Sequence, residues 1–125
     1  MAKKKRKGRY EYVGGFVFMD ENDKRAAEYE QERSRTGVSP DETWSLDSAL
    51  ARFMVPRLKA FRKHASGHPV CFKSTDAWLR AVRKMEMAFK LIIEEGEGKV
   101  LNEKQNRQEE EGLDLFRKHM RSLWW

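Results

Sequence analysis

Two stretches decide the fold: WSLDSALARFMVPRLKAFRKHA at residues 44–65 and TDAWLRAVRKMEMAFKLIIEEG at residues 75–96. In the first, Leu46, Leu50, Phe53, Met54, Leu58 and Phe61 recur at helical spacing; in the second, Trp78, Val82, Met85, Phe89 and Ile92 do so. Such recurrence gathers apolar side chains on one stripe of each helix, as two helices packed on a shared core require. Ser45 or Asp47 caps the first helix with Trp44 as a staple, and Ser74 or Thr75 caps the second. Pro56 has no amide hydrogen for the Arg52 carbonyl, so the first helix is expected to kink or split there, at a cost of about 3 kcal/mol. Gly96 and Gly98 stop the second.

The connector SGHPVCFKS carries Val70, Cys71 and Phe72, which are apolar enough to be expected beneath the helix pair. Downstream, NEKQNRQEEEGLDLFRKHMRSLWW is polar over its first ten residues, an exposed or frayed helix start. Leu113, Phe116, Met120 and Leu123 then supply an apolar stripe. Gly112 between these halves weakens the join by about 1 kcal/mol relative to alanine. Trp124, four residues after Met120, can join the core edge, but its neighbour Trp125 points elsewhere on a helix. At least one indole is therefore expected to be partly exposed, either anchoring a partner or membrane interface or folding back over the bundle.

Upstream, Tyr10 and Tyr12 flank Glu11 before Gly14 and Gly15, and Phe16, Val17 and Phe18 follow, which suits two short strands around a glycine turn. Residues 23–35 are rich in helix formers and predict a short exposed helix. Gly37 and Pro40 then mark a loop. The expected fold is mainly α: a three-helix core at about 45–65, 75–95 and 102–124, with an N-terminal β-hairpin and a short extra helix. The domain reading is an arm at 1–9, an appendage at 10–41 and a helical domain at 42–125.

The charge has a particular distribution. The net +6 of the 125 residues resides in Lys3, Lys4, Lys5, Arg6, Lys7 and Arg9; the rest of the chain balances its bases against its acids. So dense a run of like charges repels itself and reads as a mobile arm. Within the neutral body, Arg57, Lys59, Arg62, Lys63, Lys73, Arg80, Arg83, Lys84 and Lys90 face only Asp76 and Glu86, while residues 94–111 carry seven acids and three bases. A positive surface on the helix pair follows, open to phosphates or an acidic protein, or neutralised within the fold by the acidic segment.

One cysteine, Cys71, excludes an internal disulfide and any cysteine framework for zinc, and suits a reducing compartment. No apolar run is long enough to span a bilayer, and the basic N-terminus lacks the apolar segment of a secretory signal. His64, His68 and Cys71 are the right ligand types for a metal, with Asp76 or His119 as a further ligand, but their spacing matches no standard site. No cofactor is expected. There is no phosphate-binding glycine loop, nucleophile elbow or zinc spacing, so the chain reads as a binder rather than an enzyme.

ETWSLDSALARFMVPRLKAF, TDAWLRAVRKMEMAFKLI and EEGLDLFRKHMRSLW together resemble a group of small uncharacterised proteins encoded by tailed bacteriophages, across about Glu42 to Trp124. The resemblance implies a setting, the cytoplasm of an infected bacterial host, and no activity. Two functions fit. One is electrostatic binding of DNA or RNA by Lys3, Lys4, Lys5, Arg6, Lys7 and Arg9, extended by Lys59, Arg62, Lys63, Arg80, Arg83 and Lys84, with Tyr10, Tyr12 or Phe16 stacking on bases. The other is an adaptor or inhibitor that engages a host or phage protein through Arg121, Trp124 and Trp125.

Overall fold

The computed structural model describes residues 22–125; the basic arm and the expected hairpin lie outside the described residues. Within them the elements are helical: α1 (Ala26–Thr36), a 3-10 turn (Pro40–Thr43), α2 (Leu46–His64), α3 (Thr75–Gly96), α4 (Glu103–His119) and a second 3-10 turn (Met120–Ser122). The chain divides into two compact units, up to Leu50 and from Ala51 onward.

In the first unit, α1 realises the short helix predicted from its helix formers. It ends at Gly37, whose φ of 87° is the left-handed conformation that lets its N–H donate back to the Arg33 carbonyl at 2.7 Å. The following turn is pinned where the Ser39 N–H donates to the Glu42 carboxylate at 2.9 Å, and the Ser39 hydroxyl bonds the buried Asp41. Arg25 lies over the Trp44 ring at 5.2 Å. Leu46 and Leu50, expected on the core stripe of α2, are 63% and 48% exposed. The first turns of the helix thus bury Ser48 and Ala49 instead, a face that side-chain size alone conceals.

In the second unit the core consists of Ala51, Leu58, Trp78, Ala81, Val82, Met85 and Phe89, walled by half-buried Met54, Val55, Phe61, Ile92, Leu113, Phe116 and Leu123. Burying each of the large members stabilises the fold by roughly 1.5–3 kcal/mol. α2 runs through Pro56 as one helix rather than splitting. The Arg57 guanidinium folds back over Phe53 at 3.9 Å and donates to its carbonyl at 2.9 Å, so a side chain supplies hydrogen bonding in the turn that the proline disturbs. α3 starts where the Ser74 hydroxyl accepts from the Ala77 N–H at 3.1 Å.

The polar start of α4 is a regular helix. Asn102 and Gln105 bond each other's backbone N–H groups, at 2.8 Å and 3.0 Å, satisfying donors that would otherwise be left without partners. Gly112 is no weak join either. It is buried, and a Cβ there would overlap the Lys84 carbonyl oxygen and stand 2.5 Å from the Ala88 Cβ. Its missing side chain is what allows α4 to lie against α3.

The third helix was expected to reach residue 124, but α4 stops at His119 and the chain tightens into a 3-10 turn, with Leu123 N–H bonding the Met120 carbonyl at 3.2 Å. This leaves Leu123 against the core and Trp124 and Trp125 76% and 70% exposed, so neither indole is buried at the core edge. In the connector, Val70 and Cys71 are exposed rather than tucked beneath the helices; Phe72 alone turns in, 5.0 Å from Trp78, after its N–H bonds the Pro69 carbonyl. Among the described residues no helix is long and apolar enough to cross a membrane.

Candidate functional site

The basic residues of α2 and α3 meet along one seam. Lys59, Arg62 and Lys63 stand three and four apart and share a face of α2; Arg83, Glu86 and Lys90 share a stripe of α3 for the same reason. Arg52 of α2 pairs with Glu97 at 2.8 Å while Arg62, further along, pairs with Glu86, so the two helices run antiparallel and their basic faces adjoin.

Glu86 organises this seam. Its side chain is 3% exposed, and its Oε1 accepts from both Nε and Nη2 of Arg62, at 2.9 Å and 2.7 Å, while Lys90 Nζ lies 3.4 Å from Oε2. A carboxylate this deeply buried needs such partners, because removing one leaves an uncompensated charge costing about 3–5 kcal/mol. The guanidinium and ammonium are thereby held in place with one charge between them still uncancelled. Lys59, Lys63 and Arg83 flank them and are exposed.

The residues expected to contact nucleic acid therefore fall into three sets. Lys59, Lys63, Arg80 and Arg83 are exposed on the outer faces of α2 and α3. Arg62 is held by Glu86, and Lys84 turns toward α4 to pair with Glu111 at 2.8 Å. Lys3, Lys4, Lys5, Arg6, Lys7 and Arg9 lie outside the described residues. The acidic segment neutralises part of the basic surface, with Glu111 on Lys84 and Glu97 on Arg52. Glu94 and Glu103 pair locally with Lys99 and Arg107, and the anion that holds Arg62 and Lys90 belongs to α3 itself. Glu86 and Lys90 were not singled out as site residues. A lone acid in a basic stretch, four residues before a lysine, is the signal that marks them.

At the acidic end, Glu109 of α4 neighbours Glu95 of α3, with one of its carboxylate oxygens shielded from water. Burial first, then hydrogen bonding with and repulsion from Glu95, raises the Glu109 pKa from 4.5 to about 7.

A second feature adjoins the seam. Immediately after α2, residues Ala65 to Pro69 form one wall of a cleft of about 350 Å³ that Trp78, Ser122, Trp124 and Trp125 complete. Trp125 also pairs with His64, the last residue of α2, with ring planes 17° apart and centroids 6.0 Å apart. Arg121, expected beside the two indoles in a protein contact, is exposed in the adjoining 3-10 turn. Among the described residues no three His, Cys, Asp or Glu side chains converge on a metal position; the Nδ1 of His68 lies 2.9 Å from the Pro69 carbonyl and Cys71 faces solvent.

No family model, curated protein or solved structure matches the chain.

Proposed function

We propose that this chain is a non-enzymatic accessory protein that binds nucleic acid electrostatically, through its basic arm and the basic seam of α2 and α3. A tailed-phage setting follows from the sequence resemblance alone. The observation that carries the reading is Glu86: a buried carboxylate that fixes Arg62 and Lys90 while Lys59, Lys63 and Arg83 stay exposed beside them. A row of cations across two antiparallel helices suits a phosphate backbone, whose charges recur along a line. The arm, Lys3 to Arg9, carries a further six positive charges.

The test is salt dependence. Binding of labelled DNA and RNA should weaken steeply between low and physiological salt, with a slope that becomes shallower when the arm is deleted or when Lys63 and Arg83 are replaced by glutamate. Failure to bind either polymer at low salt refutes the proposal.

A second reading, an adaptor or inhibitor that engages a host or phage protein through Arg121, Trp124 and Trp125, draws support from the exposure of both terminal indoles. Affinity purification from host lysate with and without nuclease separates the two: a protein partner survives the treatment, whereas a polymer-mediated association does not.

A further inference from the structure

We infer that the cleft at the end of α2 receives an unpaired nucleobase, so that the polymer bound along the basic seam is single-stranded. The inference rests on the nucleic-acid reading above and names its substrate class. Three observations carry it. The cleft, at about 350 Å³, falls within the range of small-ligand clefts, about 300–1,000 Å³. Its lining includes three indoles, of which Trp124 and Trp125 are 76% and 70% exposed while Trp78 is anchored in the core. And it opens where the basic residues end: Arg62 and Lys63 occupy the last turn of α2, His64 follows, and the cleft wall begins at Ala65.

The chemistry is that of single-strand recognition, in which cations track the backbone and aromatic rings stack on bases without reading their edges. In a duplex the bases are already stacked on one another and their faces are inaccessible to a tryptophan. None of the residues lining the cleft is acidic, so nothing there repels the phosphates on either side of an inserted base. His68 and Ser122 supply polar groups beside the rings, and Trp125 already stacks near-parallel on His64 at the junction with the seam. The same indoles would anchor a protein partner, but the unbroken passage from lysine and arginine to open aromatic faces favours a polyanion that also carries flat rings.

The experiment uses the full chain and three probes: a short labelled oligothymidylate, a duplex of the same length, and an oligonucleotide of that length with abasic positions. The oligothymidylate should quench tryptophan fluorescence and bind about tenfold more tightly than the abasic strand, since stacking one base contributes roughly 5- to 150-fold in affinity. Replacing Trp124 and Trp125 with alanine should remove that advantage and leave duplex affinity and the salt slope within about twofold, as stacking releases no counterions. Both side chains are exposed, so helix content by circular dichroism should not change; the abasic probe tests the same point with the unaltered protein. Equal binding of all three probes, unaffected by the tryptophan substitutions, overturns the cleft inference while the electrostatic reading stands. Absence of binding to every probe at low salt overturns both, and recovery of a nuclease-resistant protein partner dependent on Trp124 and Trp125 would then assign the cleft to that partner.

Discussion

Replacing Gly112 with alanine isolates the contact that sets the spacing of α3 and α4. On an exposed helix face this substitution stabilises by about 1 kcal/mol, because alanine has the higher helix propensity. Here the new methyl would stand 2.5 Å from the Ala88 Cβ and overlap the Lys84 carbonyl oxygen, and one of these neighbours is backbone that cannot rotate aside. Carbon atoms rest about 3.5–4.0 Å apart, so α4 must withdraw by about 1 Å, and a gap of 0.5–1 Å forfeits a quarter to a half of each dispersion contact along the interface. Phe89 against Phe116, at 5.1 Å, and the Lys84–Glu111 pair are among the contacts disturbed. With overpacking costs of about 1–3 kcal/mol and the interface loss set against the propensity gain, a net destabilisation of about 2 kcal/mol is expected. At this chain length that lowers the melting temperature by about 5–10 °C. Thermal and urea denaturation followed by circular dichroism read it directly. An unchanged or raised melting temperature would refute the close approach of the two helices.

Three further outcomes are expected. Arg62→Ala strands the buried Glu86 carboxylate with Lys90 alone and should destabilise by about 3 kcal/mol in urea denaturation, whereas Lys59→Ala, at an exposed position of the same face, should stay within about 0.5 kcal/mol; equal effects would contradict the seam geometry. Because Glu109 holds its proton up to about pH 7 in the folded chain but only to about 4.5 in the unfolded one, its contribution is fully present below pH 4.5 and is lost as pH rises through 7. Glu109→Gln should therefore be more stable than the unaltered protein at pH 8 and match it near pH 4.5, and identical pH profiles of the melting temperature would count against the carboxyl pair. In nucleic-acid binding, Lys63→Glu should lower affinity and flatten the salt slope, while Lys84→Glu, at a residue already turned toward Glu111, should do less; the reverse order would displace the interface from the α2–α3 seam.

How much of the site was legible beforehand differs from residue to residue. That Lys59, Arg62, Lys63, Arg80, Arg83 and Lys84 belong to two adjoining helices can be read from their spacing. That Arg62 is clamped and Lys84 diverted cannot, because the partners lie 24 and 27 residues away along the chain, and only packing decides which carboxylate arrives. The cleft was equally hidden. Trp124 and Trp125 stand out by composition, but their exposure depends on the helix tightening after His119, where Leu123 takes the core position.

The sequence by itself determined the helices of the second unit and both ends of α3, though not the end of α4 at His119. Periodic apolar residues, the Ser74 cap and the glycines near residue 96 act over one or two turns, and such local preferences need no knowledge of the rest of the chain. Tertiary structure alone decided that Gly112 is a point of closest approach, that α2 passes Pro56 as a single helix, that Leu46 and Leu50 stay exposed, and which cations remain unclamped at the seam. The first and last of these depend on atoms brought together from distant positions, where van der Waals contact and charge pairing act over a few ångströms of space and are indifferent to distance along the chain.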